Sequence, residues 1–183
     1  KGVVLAGAGG DGVYRSADGG KTFSPLGTGL AAGWVKRLWA SPSAPYPVYA
    51  QLGVGLFRLD AAGSWSEMRR PFATGEPAKV DGFVFDRAAP RTVYAHSSSS
   101  WFRAEDGGRV FSPVEVKGPG MKEMMKGNLS GPQFRSLVQD PGDAKVFYAG
   151  AWSNRGPCTA VLRTIDGGKK WQPAGTGITS GGV

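Results

Sequence analysis

Cysteine is almost missing from this chain. Cys158 is the one copy, which excludes an internal disulfide and says little about redox compartment. Histidine is as scarce: His96 stands alone, and no His/Cys set has the spacing of a metal site. No metal and no cofactor is therefore expected. No stretch of about 18 apolar residues occurs, so no membrane-spanning helix is expected. No segment keeps a 3.6-residue hydrophobic period, which argues against long helices; a short helical turn over Met121 to Lys126 is the exception. There is no Gly-x-Ser-x-Gly elbow to accompany His96, as a serine hydrolase would need. Gly7-Ala8-Gly9-Gly10-Asp11-Gly12 has the spacing of a dinucleotide-binding loop, but the strand-like Val13-Tyr14-Arg15 follows where that motif needs a helix. Acids are outnumbered, 14 Asp and Glu against 22 Lys and Arg, giving a net charge of +8. That balance suits an anionic partner without naming one. The cations are scattered along the chain and not interleaved with aromatics, so nucleic-acid binding has no support.

Glycine is abundant, with 30 copies beside 13 prolines, and it falls in a pattern. Ser16-Ala17-Asp18-Gly19-Gly20-Lys21-Thr22-Phe23 returns as Thr164-Ile165-Asp166-Gly167-Gly168-Lys169-Lys170-Trp171. Ala104-Glu105-Asp106-Gly107-Gly108-Arg109-Val110-Phe111 is a third copy. Arg58-Leu59-Asp60-Ala61-Ala62-Gly63-Ser64-Trp65 keeps only the Asp and the closing aromatic in register. The aspartates stand at 18, 60, 106 and 166, a spacing that means a repeat architecture. Asp-Gly-Gly between two extended runs is a turn. The carboxylate accepts backbone N–H groups ahead of it, and glycine tolerates positive φ. The aromatic should anchor the outgoing strand in the core. Asp18, Gly20, Phe23, Asp60, Trp65, Asp106, Gly108, Phe111, Asp166, Gly168 and Trp171 are thus expected to be structural.

These four copies resemble the Asp-box, or BNR repeat, of sialidases, xyloglucan-cleaving glycosidases, sortilin-type receptors and photosystem II assembly factors. The resemblance implies an all-β fold: a β-propeller of four-stranded antiparallel blades, with the box between strands C and D. It covers nearly the whole chain. Around the boxes the strands group into blades at about 1–27, 34–70, 79–116 and 133–174, read together as one propeller domain over 1–183. Pro-bearing corners join A to B: Ser41 to Pro45, Asp86 to Pro90, and Asp140 to Asp143. The first blade lacks an A strand. The tail Gly175 to Val183 resembles the lead into the second blade's A strand, Gly27 to Val35. Two arrangements follow. Either the four blades are part of a larger propeller, which is the expectation, or the tail closes a four-bladed ring.

In such a fold the B-to-C and D-to-A loops carry ligands. They are Ala8 to Asp11, Gly53 to Gly55, Ser97 to Ser100 and Trp152 to Cys158, with Thr28 to Gly33, Arg69 to Lys79 and Lys117 to Pro132. Long loops on a rigid scaffold carry binding, and methionine, tryptophan and arginine suit interfaces. Lys117, Lys122, Met124, Lys126, Trp152 and Arg155, with Arg69 and Arg70, are therefore the expected contacts of a protein partner, acidic or part of a larger assembly. No catalytic residue is assigned. The rival reading is a glycoside hydrolase or carbohydrate-binding propeller. It needs a carboxylate pair across a cleft, and Asp11 with Asp81 is the best pair available. Asn128-Leu129-Ser130 fits a glycosylation sequon. The resemblance points to a secreted, periplasmic or cell-surface protein.

Overall fold

A computed structural model describes residues 2–42, 47–68, 80–97, 101–114, 133–152 and 161–176. They form fifteen strands and no helix. In chain order these are β1 (Val4–Gly10), β2 (Gly12–Ser16), β3 (Ser24–Pro25), β4 (Gly33–Ala40), β5 (Val48–Leu52), β6 (Gly55–Leu59), β7 (Trp65–Glu67), β8 (Gly82–Phe85), β9 (Val93–His96), β10 (Trp101–Ala104), β11 (Ser112–Pro113), β12 (Gln133–Gln139), β13 (Phe147–Trp152), β14 (Val161–Thr164) and β15 (Gln172–Pro173). The expected helical turn over Met121 to Lys126 lies outside the described residues.

The chain divides into two compact units, one of Lys1–Pro71 with Gly75–Ala78 and one of Phe72–Thr74 with Lys79–Val183. In the second, two four-stranded sheets run β11-β10-β9-β8 and β12-β13-β14-β15. Each is a meander in which every neighbouring pair is antiparallel, as short strands joined by tight turns require. The first unit holds one seven-stranded sheet, ordered β3-β2-β1-β4-β5-β6-β7. Strands β4 to β7 repeat the A-B-C-D meander, and β1 to β3 supply B, C and D. The end of β1 also pairs with β4, through Gly9 opposite Trp34 and Gly10 opposite Gly33. Residues 8 to 10, expected in a loop, are strand: Ala8 pairs with Gly12 of β2 and the two glycines with β4.

The A strands of the second and fourth repeats carry the same irregularity. The ladder slips between Val35 and Arg37 and between Phe134 and Ser136, an extra residue that bends and twists the strand. The A-to-B corners close with one matching bond each: Ser41 N–H to the Pro47 carbonyl at 3.2 Å, Asp86 N–H to Thr92 at 3.1 Å, and Asp140 N–H to Val146 at 2.9 Å. Asp86 and Asp140 turn the chain by accepting the N–H groups two and three residues ahead. In the second unit the two corners are tied together. The Arg87 backbone and side chain donate to Gln139 Oε1, its guanidinium donates to the Pro141 and Asp140 carbonyls, and Gln139 Nε2 donates to Asp86.

Each unit has its own core. In the first, Val13 of β2 and Leu26 pack with Val48, Ala50, Leu52, Phe57, Leu59 and Trp65. In the second, Tyr94 and Trp101 from the third repeat pack with Leu137, Phe147, Ala149, Leu162 and Trp171 from the fourth. Both cores lie between successive repeats, so face-to-face sheet packing holds the repeats together. A fully buried side chain such as Phe147 or Leu162 contributes about 1.5–3 kcal/mol by leaving water.

Candidate functional site

The four aspartate turns are the repeated chemistry of the chain, and the hydrogen bonds show where their carboxylates go. Asp18 Oδ1 accepts the N–H groups of Lys21 and Thr22, both at 3.0 Å, and the Ser16 hydroxyl at 2.6 Å. Its Oδ2 accepts the Thr22 hydroxyl at 2.7 Å. The Ser16 oxygen in turn accepts the Gly20 N–H at 2.8 Å. Asp166 repeats the arrangement, taking Lys169 and Lys170 N–H at 2.9 Å each and the Thr164 hydroxyl at 2.8 Å. Asp106 accepts the N–H groups of Arg109 and Val110. The position of Ser16 and Thr164 is occupied there by Ala104, so that turn has no hydroxyl of this kind. Asp60 closes a different turn, on the N–H groups of Ala62 and Ser64. Both glycines of the three full turns have positive φ, for example Gly19 at +80° and Gly20 at +93°, a region closed to residues with a Cβ except at a cost.

The bonding changes the acids. The Ser16 hydroxyl, then the Thr22 hydroxyl and N–H, hold Asp18 well below the ordinary carboxylate range. Asp166 is lowered mainly by the Lys170 N–H, assisted by Thr164 and Lys169. A carboxylate that accepts several donors is favoured in its charged form. Such a group is a poor proton donor at neutral pH, and its lone pairs are already occupied.

The aromatic that closes each turn was expected in the core, and three are there. Trp65 is 5% exposed, Phe111 0% and Trp171 2%. Trp65 reaches back to the preceding repeat, its Nε1–H donating to the Leu26 carbonyl at 2.7 Å. Trp171 reaches the third repeat through its ring, edge-on to Trp101 at 4.7 Å, while its Nε1–H donates to the Gly168 carbonyl of its own turn at 3.1 Å. Phe23 corrects the expectation. It is 45% exposed. At the start of the segment Thr28 to Gly33, expected to face ligand, Thr28 lies against the second turn. Thr28 N–H donates to the Gly63 carbonyl at 2.9 Å, and Trp65 N–H to the Thr28 carbonyl at 2.7 Å. A Cβ on Gly27 would lie 2.6 Å from Leu59 and 2.7 Å from the Gly63 carbonyl.

One pattern was missed in the sequence. In each repeat an arginine of strand C stands between a B-strand and a D-strand residue: Leu5–Arg15–Ser24, Tyr49–Arg58–Ser66, Tyr94–Arg103–Ser112 and Tyr148–Arg163–Gln172. Arg103 and Arg163 lie over their tyrosine rings, at 5.9 and 5.8 Å from the centroids, within reach of a cation–π attraction. The signal was present as an arginine two or three residues before each aspartate.

The expected partner contacts Arg69, Arg70, Lys117, Lys122, Met124, Lys126 and Arg155 lie outside the described residues. Trp152 ends β13, its backbone opposite Gln133. His96 ends β9, buried, opposite Trp101 and Gly82. Among the described residues, no group of three or more His, Cys, Asp or Glu could hold a metal ion, and no helix is long and apolar enough to cross a membrane. Among the described residues, two concave spaces stand out. One of about 450 Å³ is framed by Val3, Leu5, Leu26, Val48 and Leu59, with Arg15 on its wall. The other, of about 590 Å³, lies beside the third turn between Arg91, Arg103, Asp106, Val110 and Ser112.

No protein-family model matches the chain, and no curated protein does. Solved structures do. An ancestral GH74 enzyme matches 94% of this chain with 22% of its own, at 18% identity and a TM-score of 0.60. The extracellular domain of a hybrid two-component system from B. thetaiotaomicron matches 93% with 20% of its own, at 13% identity and 0.56. YCF48 from Cyanidioschyzon merolae matches 89% with 49% of its own, at 20% identity and 0.50. The chain spans between a fifth and a half of these structures. At such identities the likeness establishes the fold, and the fold is an all-β propeller of four-stranded antiparallel blades.

Proposed function

We propose that this chain is a non-catalytic propeller scaffold that binds a protein partner, and that its four turns are Asp-boxes. The observation that supports this reading is the occupation of the aspartates. Asp18, Asp60, Asp106 and Asp166 each bond the backbone of their own turn, one per repeat, so the most regular acids of the chain serve architecture. In this reading the four repeats belong to one propeller domain within a larger propeller. The binding face is the B-to-C and D-to-A loop face, with Lys117, Lys122, Met124, Lys126, Trp152, Arg155, Arg69 and Arg70 as contacts. An extracellular, periplasmic or cell-surface location goes with it, by analogy with the extracellular domain of similar fold.

The glycoside hydrolase reading draws on the likeness to a GH74 enzyme, which reaches only the fold. Of the two defined concave spaces, the apolar one is lined by no carboxylate. In the polar one Glu105 is engaged by Arg103 and Asp106 by its own turn. Neither is the two-carboxylate cleft that glycoside hydrolysis uses. The test reverses charge at Lys122, Lys126 and Arg155, each to Glu, and measures a co-purifying partner from the envelope fraction. Loss of the partner with the fold intact is expected. Undiminished binding by the triple variant, or hydrolysis of xyloglucan or sialosides that stops on Asp11→Asn or Asp81→Asn, overturns the proposal.

A further inference from the structure

The cations that look scattered in the sequence are gathered by the fold of the second compact unit. Gly107 N–H donates to the Arg91 carbonyl and Gly167 N–H to the Lys145 carbonyl, both at 2.9 Å. Each bond places a cation from the start of a B strand beside an aspartate turn. Arg109 follows Asp106 and Lys169-Lys170 follow Asp166 on the turns themselves. The two turns are linked through Tyr94. Arg103 lies over its ring, while its hydroxyl donates to the Gly167 carbonyl of the next turn at 3.2 Å. Arg91, Arg103, Arg109, Lys145, Lys169 and Lys170 therefore stand on or beside two turns that Tyr94 ties together. All but Arg103 are exposed.

Acids share this edge and stay charged: Asp106 and Asp166 accept backbone N–H groups and Asp143 accepts the Lys145 N–H. With Glu105 they set four carboxylates against six cations, which leaves an excess of two positive charges. Arg103 is paired with Glu105. The edge also exposes two aliphatic side chains, Val110 and Ile165, and the 590 Å³ groove between Arg91, Arg103 and Val110.

We propose that this turn edge is a second docking surface, separate from the loop face, and that it takes an acidic peptide segment bearing aliphatic residues. Charge complementarity selects an anion. The groove favours a peptide side chain over a flat headgroup layer. The turn aromatics Phe111 and Trp171 are buried, so the edge offers a nucleic-acid base no ring to stack on. A peptide chain seats aliphatic side chains on Val110 and Ile165 while its carboxylates meet the flanking cations.

The test is fluorescence anisotropy of the full chain with a labelled peptide of alternating glutamate and leucine. The same peptide with glutamine for glutamate, phosphatidylserine vesicles and a single-stranded oligonucleotide are the competing probes. The acidic peptide is expected to bind saturably and to weaken with salt. Arg91→Glu with Lys169→Glu and Lys170→Glu should lower affinity about tenfold, from several exposed charges acting together, with the far-UV spectrum unchanged. Lys21→Glu, on the other compact unit, should leave binding as it was. If the triple variant misfolds, Lys169→Gln with Lys170→Gln should weaken binding about threefold. No saturable binding, equal loss on Lys21→Glu, undiminished binding by the folded edge variant, or tighter binding to vesicles or oligonucleotide overturns the proposal. The loop-face contacts are untouched by these variants, so either surface can fail alone.

Discussion

Trp65 and Phe23 hold the same place in two turns of the same compact unit, and the structure assigns them opposite energetics. Trp65 is buried in the shared core and donates to the Leu26 carbonyl at 2.7 Å. Trp65→Ala removes a large buried ring, at about 3–5 kcal/mol, and a hydrogen bond whose net value is about 1 kcal/mol. Phe23 is half-exposed with no described sheet over it. Phe23→Ala should cost under about 1 kcal/mol, near the surface range. Trp65→Phe keeps most of the ring but drops the donor, leaving the Leu26 carbonyl to find water, for a loss of about 1–2 kcal/mol. Urea unfolding followed by far-UV circular dichroism gives all three values, since removing a tryptophan compromises fluorescence. Both positions report on one unit, so one transition is compared. The reasoning is refuted if Phe23→Ala costs as much as Trp65→Ala, because the motif position and not its covering sheet would then set the energy.

Two further outcomes follow from the turns. Asp18 is held below the ordinary carboxylate range in the folded state, so its stabilisation is present above the unfolded value and is lost as pH falls through the folded one. The melting-temperature gap between the wild-type protein and Asp18→Asn should be constant near neutrality and narrow as pH drops below about 4; a gap that widens in acid contradicts the assignment. Ala104 stands where Ser16 and Thr164 accept a glycine N–H and donate to the turn aspartate. Ala104→Ser should therefore raise stability by about 0.5–1.5 kcal/mol in thermal unfolding, and a fall would mean that the third turn has no room for the hydroxyl.

Much of the fold was legible because its decisive contacts are short in sequence. An aspartate that bonds residues three and four ahead, with two glycines at positive φ between, writes its turn into consecutive letters. So do the corners at Ser41, Asp86 and Asp140. The joining of β1 to β4 was not legible, since it pairs strands of two different repeats. Nor was the exposure of Phe23, whose motif is intact. The Tyr–Arg pairs were hidden because the partners come from different strands. The expected loop-face contacts fall almost wholly outside the described residues.

The chain by itself determined where it turns, which residues extend between turns, and that this scheme recurs four times. Backbone sterics and the reach of a carboxylate act within a few residues, so the local sequence suffices. Only the tertiary structure decided which aromatics are covered, which strand edges meet, and which cations share one edge. Those outcomes depend on what another repeat brings within a few ångströms, and side-chain packing and electrostatics act across that gap whatever the distance along the chain.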